Sequence, residues 1–420
     1  MKRKYALFIL SIIQLVIQLV IISGGLFAAE DYQELYGRQI EAIEVSGNTR
    51  TNDNAVLRIG GVGTSTEFTR DTQSRIENNL TKSGLFASAI VQAEPLVNGS
   101  VKIRIEVKEK WTLLPLPVFF TDGESVMGGL VVIESNLAGT AKQLISGVMG
   151  GTDGLSGFAV YVDPAVLQSS WRLTLSGGAG TEKQEVDTPD GSLAYVIKGE
   201  ALSGSFGLGY KFTDALEIDG RIRFQQYLVD SVEGGISLPD GTYTEQQIGL
   251  QARFDKTIPY GSLLSGTLSS LEGSYLFKSG EFTQKGMLSL YIPTIASQRL
   301  RLLVAGGRGE KPFYLEETVS GRDGFRTLPF GKAVADEYIS VSGGYDLPVL
   351  EKNWGALVLT GFYELGWYSS TFAGSHDFQG PGGGFRVYLR KVAVPALGLD
   401  LAYNLNSRAL VFSVAVGMRM

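Results

Sequence analysis

Cysteine is absent from the 420 residues, which excludes disulfides, thiolate metal sites and cysteine nucleophiles. Histidine occurs once, at His376, leaving little basis for imidazole metal ligation or general-base chemistry. Charged residues make up only 19%, and the net charge is −6, so a nucleic-acid partner has no electrostatic support. Beyond the first 22 residues no run reaches the roughly 18 apolar residues of a spanning helix. The "SHD" at Ser375–Asp377 is three adjacent residues in an expected outer loop, which is not the arrangement of a catalytic triad. The run Gly382–Gly384 lacks the strand-then-helix context of a phosphate loop. The chain is therefore read as a non-enzyme with no metal and no cofactor.

What is present begins with a basic start, Lys2, Arg3 and Lys4, and an apolar stretch from Ala6 to Ile22. Small residues up to Ala29 follow. Residues 1–29 read as a secretory signal peptide, with a retained anchor as the alternative. An exported chain with no further apolar helix would enter a membrane by strands.

Residues 36–110 read as a small α+β unit of order β-α-α-β-β. Gly47-Asn48 ends a short strand. Thr51 or Asn52 caps a helix that Gly60-Gly61 stops, and Thr69 caps a second that Gly84 stops. In "SVKIRIEVKEK", Val101, Ile103, Ile105 and Val107 face one way and Lys102, Arg104, Glu106 and Lys108 the other. The stretches "EVSGNTRTNDNAVLRIGGVGTSTEFT", "IENNLTKSGLFASAIVQAE" and "VKIRIEVKEKW" resemble a POTRA domain, here in one copy. That resemblance implies a periplasmic domain that handles unfolded polypeptide, in part by strand addition at a sheet edge. A packing module that only orients its neighbour is the plainer alternative.

From Trp111 to Met420 alternation repeats between short turns. Ile248, Leu250, Ala252 and Phe254 oppose Gln247, Gln251, Arg253 and Asp255. Leu399, Leu401 and Tyr403 oppose Asp400 and Asn404. The pattern predicts a transmembrane antiparallel β-barrel over 111–420, apolar toward lipid and polar toward the lumen. Sixteen strands are expected, from 111–121 to 408–419, with a soluble all-β fold as the alternative. A sixteen-stranded lumen is wide enough for water, so something must fill or gate it.

The loop between the eleventh and twelfth strands carries "SGRDGF". It resembles the lumen loop of the BamA/TamA-type outer-membrane assembly superfamily, which also holds the two-partner-secretion transporters. The resemblance implies a lock of Arg322, Gly324 and Phe325 against Glu364 on strand thirteen, in "GFYELGW". Asp323 interrupts the motif, and Arg326 is an alternative arginine. The bland reading is a solvated outer loop. At the barrel's ends, Pro115 and Pro117 have no ladder donors, which weakens a seam to the last strand bearing Phe412 and Val414. The prolines otherwise mark only where the linker ends.

The resemblance implies an outer-membrane protein that assembles or inserts others. Its partners would be unfolded outer-membrane or secreted polypeptides, outer-membrane lipid, and periplasmic chaperones or accessory lipoproteins. The alternatives are a dedicated polypeptide translocator and a channel or structural barrel.

Overall fold

The computed structural model describes residues 32–121, 126–152, 154–187, 193–234, 241–295, 297–312, 317–319, 324–328, 333–370, 374–389 and 396–416. The expected signal peptide lies outside these residues.

The small domain comprises β1 (Arg38–Ser46), α1 (Asp53–Gly60), β2 (Glu67–Phe68), α2 (Arg70–Lys82), β3 (Phe86–Pro95) and β4 (Val101–Glu109). Its sheet runs β2-β1-β4-β3, with β1 parallel to β4. Gly61 ends α1 at φ +69°, a backbone region glycine enters without a Cβ penalty. The Thr69 hydroxyl caps α2 by accepting from Thr72 N at 3.0 Å. The alternating β4 buries Val101, Ile103 and Ile105 against Ile76 and Leu80 of α2, which forms a dry core under one sheet face. The two-residue β2 immediately precedes the Thr69 cap of α2.

The outer edge of β3 is partly covered. One turn apart on α2, Gln73 donates to Val91 O at 3.1 Å and Glu77 accepts from Val91 N at 2.9 Å. Both outward-facing backbone groups of that residue are thus occupied, which limits strand addition there. Burial pushes the Glu77 carboxyl above the usual range, with the Val91 hydrogen bond working against it. A carboxyl whose folded pKa is raised contributes stability that is present at low pH and lost as pH rises through that pKa. The edge around Val91 is therefore expected to open more readily at about pH 8 than at about pH 5, and Glu77→Gln should abolish the difference. Hydrogen exchange of segment 86–95, corrected for its intrinsic pH dependence, reads this; an unchanged pH profile in the variant would refute it.

The barrel strands are β5 (Leu113–Thr121), β6 (Val126–Leu137), β7 (Lys142–Gly151), β8 (Gly154–Asp163), β9 (Trp171–Asp187), β10 (Leu193–Lys211), β11 (Leu216–Gly234) and β12 (Gly241–Asp255). There follow β13 (Ile258–Tyr260), β14 (Leu263–Leu276), β15 (Phe282–Pro293) and β16 (Arg299–Arg308). A two-stranded ribbon, β17 (Glu317–Thr318) with β18 (Val334–Ala335), precedes β19 (Glu337–Lys352). The last are β20 (Gly355–Ser370), β21 (Gly374–Leu389), β22 (Ala396–Asn404) and β23 (Ala409–Val416). The sheet closes by joining β23 to β5. Among the described residues sixteen barrel strands are long; β13 is a three-residue piece beside β14, and β12 pairs with β14 directly. The expected even count holds. Ile222, Ile248, Leu250 and Leu271 are among many large apolar side chains exposed on the outer face, as lipid requires.

One local expectation changes. "SHD" lies inside β21, not in a loop: His376 stands opposite Tyr368 of β20. Farther back, β19 carries Pro348 through a bulge between Pro348 and Leu350. A bulge absorbs the missing donor.

The seam-facing side of β5 follows from register. Ser135 N donates to Thr112 O at 3.0 Å, and β5 pairs with β6 without a shift from Leu113↔Glu134 onward. Antiparallel neighbours alternate between bonded and non-bonded pairs. Leu114 and Leu116 thus bond toward β6, while Leu113, Pro115 and Pro117 aim their backbone toward β23. The two prolines remove two donors from that edge.

Candidate functional site

Between β16 and β19 the chain enters the lumen. At its tip Gly324 has φ +89°, and a Cβ there would stand 2.7 Å from Ser340 Oγ and 2.8 Å from Leu303 Cδ2. Only glycine lets the backbone sit this close to the wall. The Ser340 hydroxyl donates to Gly324 O. Phe325 is buried, edge-on to Tyr338 at 5.5 Å and tilted against Phe378 at 5.4 Å. With Val319, Leu328, Ala333 and Ala335 it forms an apolar cluster that anchors the loop.

Glu364 is the receptor on the wall, fully buried at 0% exposure. Its strand parity sets this, since Leu359 and Tyr363 face outward on the same strand. Its Oε1 accepts from Gly324 N at 3.0 Å and Arg326 Nε at 2.8 Å, and its Oε2 from Thr327 N at 3.2 Å. The Arg326 guanidinium lies 3.5 Å from the Phe362 ring centre and pairs with Asp400 at 3.5 Å. Asn404 donates to Thr327 O at 3.1 Å. A carboxylate holding two backbone N–H groups and one guanidinium fixes three of the four positions from Gly324 to Thr327.

Gly324, Phe325 and Glu364 come together. Arg322 lies outside the described residues; among those described, the guanidinium on Glu364 belongs to Arg326. With Gly324 against the wall and Phe325 turned into its cluster, Arg326 lies beside the carboxylate. Of the seam residues, Pro115 and Pro117 lie on the outer face of β5 and Phe412 is exposed on β23, while Val414 pairs in register with Leu399.

The sequence reading missed most of the lumen's charge lattice. Arg386 forks onto Asp400 with 2.7 and 2.6 Å contacts. Arg299 and Arg301 meet Asp346 at 2.6 and 3.1 Å, and Arg301 donates to Thr360 at 3.0 Å. The signal available was strand parity: Asp400 was already on the lumen side. The Gly-rich run of β21 also gains a role. A Cβ at Gly382 would stand 2.2 Å from the Phe362 ring, and one at Gly384 2.1 Å from Asp400 Oδ1. Those glycines leave room for the groups that hold the loop. The opposite wall is looser, with a polar cavity of about 340 Å³ between Arg223, Gln247, Glu272, Lys285 and Asp336.

The small domain bridges one mouth. Its α1 end meets the β6–β7 turn: Asn52 N donates to Gly139 O at 2.9 Å, Arg58 to Thr140 O at 2.8 Å, and Asn136 to Thr51 Oγ1 at 2.9 Å. Its α2 reaches the turns after β10 and β12, where Lys82 pairs with Asp255 at 2.8 Å and Arg75 with Asp214 at 3.6 Å. At the linker, Glu109 accepts from Thr49, Arg50 and Thr51 N–H groups at 3.1, 3.0 and 2.6 Å. Burial alone would push its carboxyl up, but the Thr51, Thr49 and Arg50 hydrogen bonds hold it below the usual range.

Residues 38–110 match the POTRA domain, FtsQ-type. The whole architecture has the fold of solved barrels. BamA from Haemophilus ducreyi lacking POTRA domains 1–3 is similar at TM-score 0.55 and 12% identity, covering 90% of this chain and 84% of that one. CdiB from Acinetobacter baumannii gives 0.61 and 14%, covering 91% and 74%. CdiB from Escherichia coli gives 0.58 and 11%, covering 93% and 78%. No curated protein matches the chain at significant similarity in sequence. Among the described residues, the chain thus joins one domain matching the POTRA model to a closed β-barrel with the fold of BamA and CdiB.

Proposed function

We propose that this protein assembles or inserts other polypeptides in the bacterial outer membrane, with its POTRA domain in the periplasm. The observation that carries the reading is the β5–β23 seam, where Pro115 and Pro117 take two donors from the edge facing the last strand. An edge short of bonds opens at low cost and leaves a template for a client strand. The Glu364-held loop closes the lumen above it, and the POTRA domain receives clients at the mouth it bridges. The polar cavity beside β10–β15 favours a second reading, a dedicated translocator that passes one polypeptide through the lumen. Depletion in the host followed by quantitative outer-membrane proteomics separates the two. Loss of many barrel proteins supports assembly; loss of one surface or secreted protein supports the translocator.

The seam itself gives a sharper test. Pro115→Val with Pro117→Val restores two donors, each contributing about 0.5–1.5 kcal/mol. The variant is expected to unfold at higher denaturant and to lose client assembly. A variant that assembles clients normally would mean that the seam stays shut in function.

A further inference from the structure

The polar cavity of about 340 Å³ beside β10–β15 is built by strand parity and register. Ile222 and Phe224 are exposed on the outer face of β11, so Arg223 and Gln225 point into the lumen. Gln247 of β12 stands opposite Arg223, and Ser203 of β10 stands opposite Gln225. All four line the cavity. The volume is at the lower end for ligand sites and has room for one sugar-sized molecule.

These side chains are uncommitted. Those of Ser203, Arg223, Gln225 and Gln247 make no hydrogen bond or ion pair among the described residues. The carboxylates nearby in the wall are engaged elsewhere. Glu272 pairs with Lys285 at 3.6 Å, and Asp336 accepts from Lys311 N at 3.4 Å. Glu245, opposite Gln225 in register, accepts from Lys278 N at 2.8 Å and Ser279 N at 3.1 Å. The strands β10, β11, β12, β14 and β15 are each paired on both sides, so their backbone groups are spent in the ladder. The cavity thus offers a guanidinium, two amides and a hydroxyl, and no strand edge. A guanidinium without a carboxylate gains most from a bidentate oxyanion. Amides and a hydroxyl both donate and accept, which matches the hydroxyls of a polyol.

We propose that this cavity binds a soluble sugar phosphate, with Arg223 forking onto the phosphate and Gln225, Gln247 and Ser203 bonding the ring hydroxyls. A bare phosphate leaves the amides unused. A polypeptide fits less well, because an extended chain needs backbone partners and no edge is open to it. The four side chains face the lumen, so the ligand enters from solution rather than from the bilayer. The inference stands apart from the choice between assembly and translocation. Ala335 and Tyr338 line the same cavity and also pack in the Phe325 cluster, so an occupant touches the wall that anchors the loop.

The test uses the full chain in detergent, titrated calorimetrically with glucose 6-phosphate, glucose and inorganic phosphate. Glucose 6-phosphate is expected to bind at least about tenfold more tightly than either of the others, equivalent to about 1.4 kcal/mol. Arg223→Gln should erase its advantage over glucose. Gln225→Ala with Gln247→Ala should erase its advantage over phosphate. Arg223→Lys, which keeps the charge and loses the fork, should fall between the native chain and Arg223→Gln. A sugar phosphate that fails to bind, or binds no better than glucose, overturns the proposal, as does an advantage that survives Arg223→Gln. If Arg223→Gln fails to fold, the native comparisons and Arg223→Lys still decide. Phosphate binding as tightly as the sugar phosphate would reveal a general anion site. An acidic tripeptide displacing glucose 6-phosphate at equal concentration would assign the cavity to polypeptide, and a phosphorylated glycolipid doing so would assign it to a lipid headgroup. Each of these three outcomes overturns the assignment to a soluble sugar phosphate.

Discussion

Glu364→Ala should release the lumen loop and expose residue 327 to labelling about a hundredfold faster than in the native background. The reporter is Thr327→Cys, probed with a hydrophilic maleimide. Thr327 is fully buried and its hydroxyl makes no hydrogen bond among the described residues, so the reporter itself costs little. The chain carries no other cysteine. The size follows from the desolvation imbalance. Removing one partner of a buried, hydrogen-bonded ion pair costs about 3–5 kcal/mol, because the remaining charge stays shielded from water. Here Arg326 would lose its closest carboxylate, with Asp400 at 3.5 Å, and the N–H groups of Gly324 and Thr327 would lose their acceptor. Each 1.4 kcal/mol is a tenfold change in population, so about 3 kcal/mol already gives two decades. Glu364→Gln should fall between, since an amide oxygen still accepts from Gly324 but offers Arg326 no charge. Labelling of the Glu364→Ala variant at the control rate would mean that the Phe325 cluster alone holds the loop.

How much of this was legible varies by element. Strand parity is a period-two signal that needs no neighbour information, so the barrel, its even strand number and the lumen placement of Glu364 could all be read. The POTRA domain was legible because glycines, caps and an alternating strand fall in a fixed order. Which arginine meets Glu364 was not legible. A loop has no period, and the approach of Arg326 to Glu364 depends on where Gly324 turns and where Phe325 finds its cluster. The pairing of Arg386 with Asp400 was hidden for another reason: it depends on register between β21 and β22, where Arg386 stands opposite Gly398 and Asp400 opposite Gly384. Register is set by the whole sheet, and one chain read linearly does not contain it.

Arg386→Met tests whether that register-dependent pair is structural support for the loop. The substitution leaves Asp400, 1% exposed, with Arg326 as its remaining cation. A barrel destabilised by about 3–5 kcal/mol is expected, read as an earlier midpoint in denaturant unfolding from detergent. Adding Asp400→Leu removes the stranded charge at similar volume. The double variant should recover at least half of the loss, because a buried pair replaced by apolar groups is often close to neutral. If the double is as unstable as the single, the cost lies in lost packing around Gly398 rather than in charge. The loop reporter then separates support from stability. In the double variant Arg326 loses Asp400, yet Glu364 still accepts its Nε and both backbone N–H groups. Labelling at residue 327 should therefore rise far less than in Glu364→Ala, even where the barrel's midpoint has moved more. A rise as large as that of Glu364→Ala would place the hold on the loop in the Arg326–Asp400 contact instead.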